Sequence, residues 1–81
     1  MTPEQLHRAA LAGERIEAPQ VGALVPASLQ RIKHPTGADV FALWGITGKH
    51  FLSVVNTDAA RLHSHWQGFV SIATATAKGQ R

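Results

Sequence analysis

Residues 39–56, DVFALWGITGKHFLSVVN, decide the fold. Two runs rich in Val, Phe, Leu and Trp, 39–46 and 50–56, stand either side of Gly48-Lys49. Aromatic and β-branched residues suit a pleated surface, and a glycine-bearing break between two such runs reads as a hairpin turn. An antiparallel hairpin over 39–56 is therefore expected. Both runs are too apolar for a sheet with one wet face, so each is either central in its sheet or partly covered by another element.

Upstream of the hairpin, residues 28–34 carry a split signal. Val25, Leu29 and Ile32 have helical spacing, and Pro26 suits a first helical turn. The Pro35-Thr36-Gly37 cluster instead suggests a turn joining a strand to the hairpin, and the strand is the preferred reading. Residues 18–28, APQVGALVPAS, read as a buried extended segment or a loop packed on the core.

The N-terminal stretch 2–12 reads as a helix. Thr2 and Gln5 have capping-box spacing, Pro3 sits where proline is tolerated, and Glu4 lies in the first turn. Leu6, Ala9 and Ala10 make a small apolar stripe, and Gly13 is a plausible stop. Downstream, Asn56-Thr57-Asp58 marks a second helix start. Stepping at 100° per residue from Leu62 puts His65, Trp66, Phe69, Val70, Ile72 and Ala73 on one arc, which supports a helix from 58 to about 77. The rival reading stops it at Gly68 and makes residues 69–77 a strand, because Val70, Ile72, Thr74 and Thr76 alternate. The two-sided partition favours the helix.

The expected class is α+β: an N-terminal helix, a short antiparallel sheet centred on the 39–56 hairpin, and a C-terminal helix packed on that sheet. The 81 residues fit one domain, with 78–81 as a loose tail. The expected core is Leu6, Val25, Leu29, Val40, Leu43, Leu52, Val54, Leu62, Trp66 and Phe69. Hydrophobic residues are 44% of the chain and charged residues 16%, which excludes a disordered composition. So low a charged fraction also suggests that some uncharged surface is covered by a partner.

The chain has no cysteine, which excludes disulfides, thiolate zinc sites and thiol nucleophiles. A small core without such staples often completes itself against a second copy, so a homodimer is one expectation. The first residues lack the apolar run of a secretion signal, and Leu62 to Ala77 is too rich in His, Ser, Thr and Gln to span a bilayer. A soluble cytoplasmic protein without membrane contact is expected. The formal charge is +3. The isoelectric point near 10.2 overstates this, because only Lys33, Lys49, Lys78 and the amino terminus lose protons between neutrality and that value.

No motif carries chemistry. His63 and His65 on a helix point about 200° apart, so they chelate one metal only if that segment is a strand. Gly45-Ile46-Thr47-Gly48-Lys49-His50 fails the P-loop pattern, with two residues rather than four between its glycines and no hydroxyl after the lysine. Its Gly-x-x-Gly next to a basic residue resembles the backbone clamp of KH domains, but that clamp joins helices and Phe51 to Val55 prefers a strand. Ser53 has no nucleophile-elbow glycines. Asp58 is a helix-start anion, and Asp39 follows a turn where Asp is common. No catalytic residue, cofactor or metal is therefore expected.

Two functional expectations remain. The first is a small non-enzymatic binding protein that regulates or inhibits a larger protein partner, with Trp44 and Trp66 as candidate contacts. The second is a nucleic-acid-binding module in which Arg31, Lys33, Lys49, Lys78 and Arg81 meet phosphates and Phe41 and Phe51 form a stacking platform. Basic residues gathered on one sheet face favour the second. An uncharged patch centred on an exposed Trp or Phe favours the first.

Overall fold

The computed structural model describes residues 1–79 of the chain. The element order is α1 (Pro3–Leu11), β1 (Ile16–Glu17), β2 (Ala27–Lys33), β3 (Asp39–Gly45), β4 (Gly48–Ser53) and α2 (Ala59–Gly79). The four strands form one antiparallel sheet in sequence order, and both helices lie on the same face of it. The smallest dimension of the molecule is 17 Å, enough for one sheet and one helical layer and too little for a third. The α+β expectation holds.

Helix α1 begins as its sequence dictates. Thr2 Oγ1 accepts from the Gln5 amide at 3.2 Å, and Gln5 Oε1 accepts from the Thr2 amide at 2.9 Å, closing the capping box. Leu6 and Ala10 then point into the core. Helix α2 starts where Asp58 Oδ1 accepts from the Arg61 amide at 2.8 Å, and it runs unbroken to Gly79. The strand reading of 69–77 is thereby excluded. Ala73 and Ala77 are buried, the former against Ala18 and Ala27, and small side chains at this spacing let the helix lie close to the sheet. Thr76 Oγ1 donates to the Ile72 carbonyl at 2.9 Å, so a β-branched residue satisfies its hydroxyl without leaving the helix. Lys78 and Gly79 belong to this helix rather than to a tail, and residues 80–81 lie outside the described residues.

The split reading of 28–34 resolves as strand: β2 pairs with β3 from Ala27↔Gly45 to Lys33↔Asp39. The hairpin turn differs from the expected one. Its two loop residues are Ile46 and Thr47, Gly45 faces Gly48 across the ladder, and the second strand ends at Ser53 rather than at 56. The glycines flank the turn for two different reasons. A Cβ on Gly45 would lie 2.1 Å from the Pro26 carbonyl oxygen, and Gly48 has φ +124°, which disfavours any side chain.

Register assigns the faces. Leu29, Phe41, Leu43 and Leu52 share the covered face and pack with Leu6, Ala10 and Leu62, with Trp66 and Phe69 of α2 partly buried against them. Val54 also packs against this cluster, while Val25, expected in the core, is only half-buried in the connection before β2. Val40 is buried on the opposite face, among its neighbours in the sheet.

An exposed open face of the sheet as the candidate site

The face of the sheet turned away from both helices carries Ser28, Gln30, Ile32, Val40, Ala42, Trp44, Lys49, Phe51 and Ser53, because strand residues alternate between faces. Its middle is apolar. A shallow groove of about 370 Å³ is lined by Ile32, Ala42, Trp44, Lys49 and Phe51. Ala42, small and central on β3, forms the floor. Phe51 of β4 lies directly opposite Ala42 and is 43% exposed. The His34 ring, beyond the end of β2, meets the Phe51 ring edge-on with centroids 5.3 Å apart. These two rings reach toward each other across the central strand.

Trp44 sits between two cations. Lys49 is its cross-strand partner on β4, and the Arg15 guanidinium lies over the indole, 5.5 Å from the ring centroid. Arg15 is held there by Ser28 Oγ, which accepts from it at 3.4 Å, and by Glu17 at 3.6 Å. The site is thus an aromatic centre with a mixed, mainly basic rim.

The residues expected from the sequence scatter around this centre. Trp44 is in it. Trp66 is on α2, packed against the core on the other side of the sheet. Phe41 is fully buried under the helices, so the aromatic pair available on a sheet face is Trp44 and Phe51, not Phe41 and Phe51.

Of the basic candidates, only Lys49 lines the groove. Arg31 belongs to the covered face, where its Nε donates to both Asp39 carboxylate oxygens at 3.0 Å, its second nitrogen pairs with Asp39, and its third donates to the Leu11 carbonyl at 3.0 Å. That clip ties the end of α1 to the β2–β3 ladder. The Arg31 hydrogen bonds hold the Asp39 carboxyl below the usual carboxylate range, and the same bonds raise the Arg31 pKa. Lys33 lies opposite Asp39, Lys78 is in the last turn of α2, and Arg81 is outside the described residues.

Sequence reasoning missed Arg15, Ile32, Ala42 and His34. Arg15 precedes a two-residue strand too short to leave a periodicity, and the others declare a face only once register is known. His63 and His65 both lie on α2. His65 stacks on His50 of β4, with centroids 5.4 Å apart. Among the described residues no group of three or more His, Asp or Glu side chains is placed to hold a metal ion. No described helix is long and apolar enough to cross a membrane.

Comparison with protein-family models, with curated proteins and with solved structures returned no match to this chain.

Proposed function

We propose that this chain is a small non-catalytic binding module that docks a larger protein partner on the open face of its sheet and thereby regulates or inhibits it. The observation that carries this reading is the aromatic centre: exposed Phe51 and half-buried Trp44 stand on a sheet face that neither described helix covers, beside Ile32 and Ala42. Protein interfaces concentrate their energy in Trp, Tyr and Arg residues at the middle of a patch, with polar groups around them. Trp44 beneath Arg15 fits that pattern, with Lys49 and Gln30 as the rim. A cytoplasmic setting belongs to the same reading.

One observation favours a nucleic-acid platform as the second reading. Two accessible rings flanked by Arg15 and Lys49 are also what single-stranded bases and phosphates require. Against it, Arg31 is committed to Asp39 and Leu11 on the covered side, so of the described candidates Lys49 alone joins Arg15 on the aromatic face.

The deciding experiment pairs two titrations. Labelled single- and double-stranded DNA and RNA are titrated at about 50 and 200 mM salt, where phosphate contacts reveal themselves by a steep loss of affinity. A photo-crosslinking residue at position 30, on the rim of the same face, then captures the protein partner, which is purified and titrated against the wild-type chain and Trp44→Ala. The protein reading predicts no salt-dependent nucleic-acid binding and a loss of about 30-fold or more in partner affinity for Trp44→Ala, the size of an interface hot spot. Tight, salt-sensitive nucleic-acid binding that Trp44→Ala abolishes overturns it.

A further inference from the structure

Among the described residues strand β4 is a bare edge. It has one neighbour, β3, and the opposite edge of the sheet is only the two-residue β1. The Val54 amide donates to the Asp39 carbonyl at 3.1 Å, which sets the phase of the β3–β4 ladder. In an antiparallel ladder the bonded pairs alternate, so Leu52, His50 and Gly48 turn their backbone groups toward β3. Lys49, Phe51 and Ser53 therefore turn their N–H and C=O groups outward. Proteins protect such edges with prolines, bulges, inward charges or a covering element. Here the only guard in the strand is the Lys49 side chain.

Apolar surface flanks this edge on both sides. Phe51 is 43% exposed on the open face, and Ile72 of α2 is 63% exposed on the other. Between β4 and α2 runs a groove of about 510 Å³ lined by His50, His65, Gly68, Phe69 and Ile72, together with Thr47, Lys49 and Ser64. The two small residues, Ser64 and Gly68, lie on the helix side of this groove.

We infer that β4 pairs with β4 of a second copy of this chain, antiparallel about a two-fold axis at Phe51, joining two sheets into one of eight strands. The strand's own order selects this occupant. Centring the axis on Phe51 is the one register that pairs all three outward-facing residues, placing Lys49 opposite the copy's Ser53 and Phe51 opposite its own counterpart. On the other side of the sheet it sets His50 opposite Leu52. No basic residue then faces another, whereas an axis at Lys49 opposes two lysines and one at His50 opposes two histidines. Because the axis runs perpendicular to the sheet, the two Trp44–Phe51 grooves become one continuous face. The two α2 helices lie on the other face. This inference concerns self-association and stands apart from the binding of another protein on the open face.

Sedimentation velocity of the purified chain from micromolar to millimolar concentration reads it directly. The expected result is a reversible rise to twice the 8.7 kDa chain mass. Lys49→Pro removes an outward N–H without touching a bond to β3, and it is expected to remain a monomer with an unchanged far-ultraviolet spectrum. Phe51→Lys and Phe51→Glu are each expected to be monomeric alone and to form a heterodimer when mixed in equal amounts. That recovery requires position 51 to face itself, and it keeps the test decisive even where Lys49→Pro does not fold. Trp44→Ala is expected to leave the dimer intact while losing the protein partner, so the two readings fail separately. A wild-type chain monomeric at every concentration overturns the inference, including the case of an edge reserved for an extended peptide. So does a dimer that survives Phe51→Lys, or a charge-paired mixture that stays monomeric.

Discussion

The two faces of the sheet are built from nearly the same kinds of residue and meet opposite fates. On the covered face Leu29, Phe41, Leu43 and Leu52 lie under α1 and α2 with almost no exposure. On the open face Phe51 is exposed and Ile32 and Trp44 are half-buried, beside His34 and a pair of cations. Antiparallel sheets commonly pair an apolar face with a polar one, and here the second face is polar at its ends and apolar at its middle. The difference separates two uses of apolar surface. Burial beneath a helix stabilises the fold whether or not a partner is present, while on the open face Phe51 is left facing water.

That contrast is sharpest at Phe41 and weakest at Trp44. Phe41→Ala opens a cavity under both helices and is expected to cost about 3–5 kcal/mol, measured by urea denaturation. A cost below about 1 kcal/mol would mean that the covered face is not the core. Next in size is Gly45→Ala, whose new methyl group has no room beside the Pro26 carbonyl. The two strands must separate locally, at an expected cost of about 1–3 kcal/mol in the same assay. A neutral result would show that the hairpin end yields more easily than its close approach implies.

The Arg31–Asp39 clip supplies a pH-dependent test on the covered side. Asp39 is held ionised by Arg31, so its pKa in the folded chain lies below its unfolded value of about 4. Its contribution to stability is complete above that unfolded value and disappears as pH falls through the folded one. Asp39→Asn is therefore expected to flatten the acid limb of the thermal-denaturation midpoint below about pH 4 and to leave the shape of the profile near neutrality unchanged. An unaltered acid limb would assign the acid sensitivity elsewhere. The smallest effect on folding is expected from Trp44→Ala, about 1 kcal/mol, because the indole is half-buried beneath Arg15 rather than enclosed by the core. A large loss there would make the open face structural and remove the ground for treating it as a docking surface.

How much of this was legible varies by element. The capping box at Thr2 and Gln5 was readable because it is a contact between residues three apart. The second helix start at Asp58 is equally local. The hairpin was readable as an object, but its turn was not. Glycine signals unusual backbone without saying whether it occupies the turn or flanks it, and Gly45 is there for a contact with Pro26, far from it in sequence. The candidate site was half visible. Trp44 stood out as an aromatic, and Lys49 as a cation next to a turn. Arg15, Ile32, Ala42 and His34 join them only through pairing across strands. Arg31 looked like a free cation until its register beside Asp39 and its reach to Leu11 were known.

By itself the sequence determined where both helices begin, that residues 39–56 hold a hairpin and that the class is α+β, because caps, proline positions and periodicities act over a few residues. Only the tertiary structure decided that residues 69–77 are helical, since both periods were present and the close packing of Ala73 on Ala18 and Ala27 selected one. It also decided which apolar face the helices cover and which edge is left bare. Alternation divides a strand's residues into two sets without ranking them. When both sets are apolar, the choice falls to the long-range packing of α1 and α2, which bury Phe41 and leave Trp44 and Phe51 facing outward.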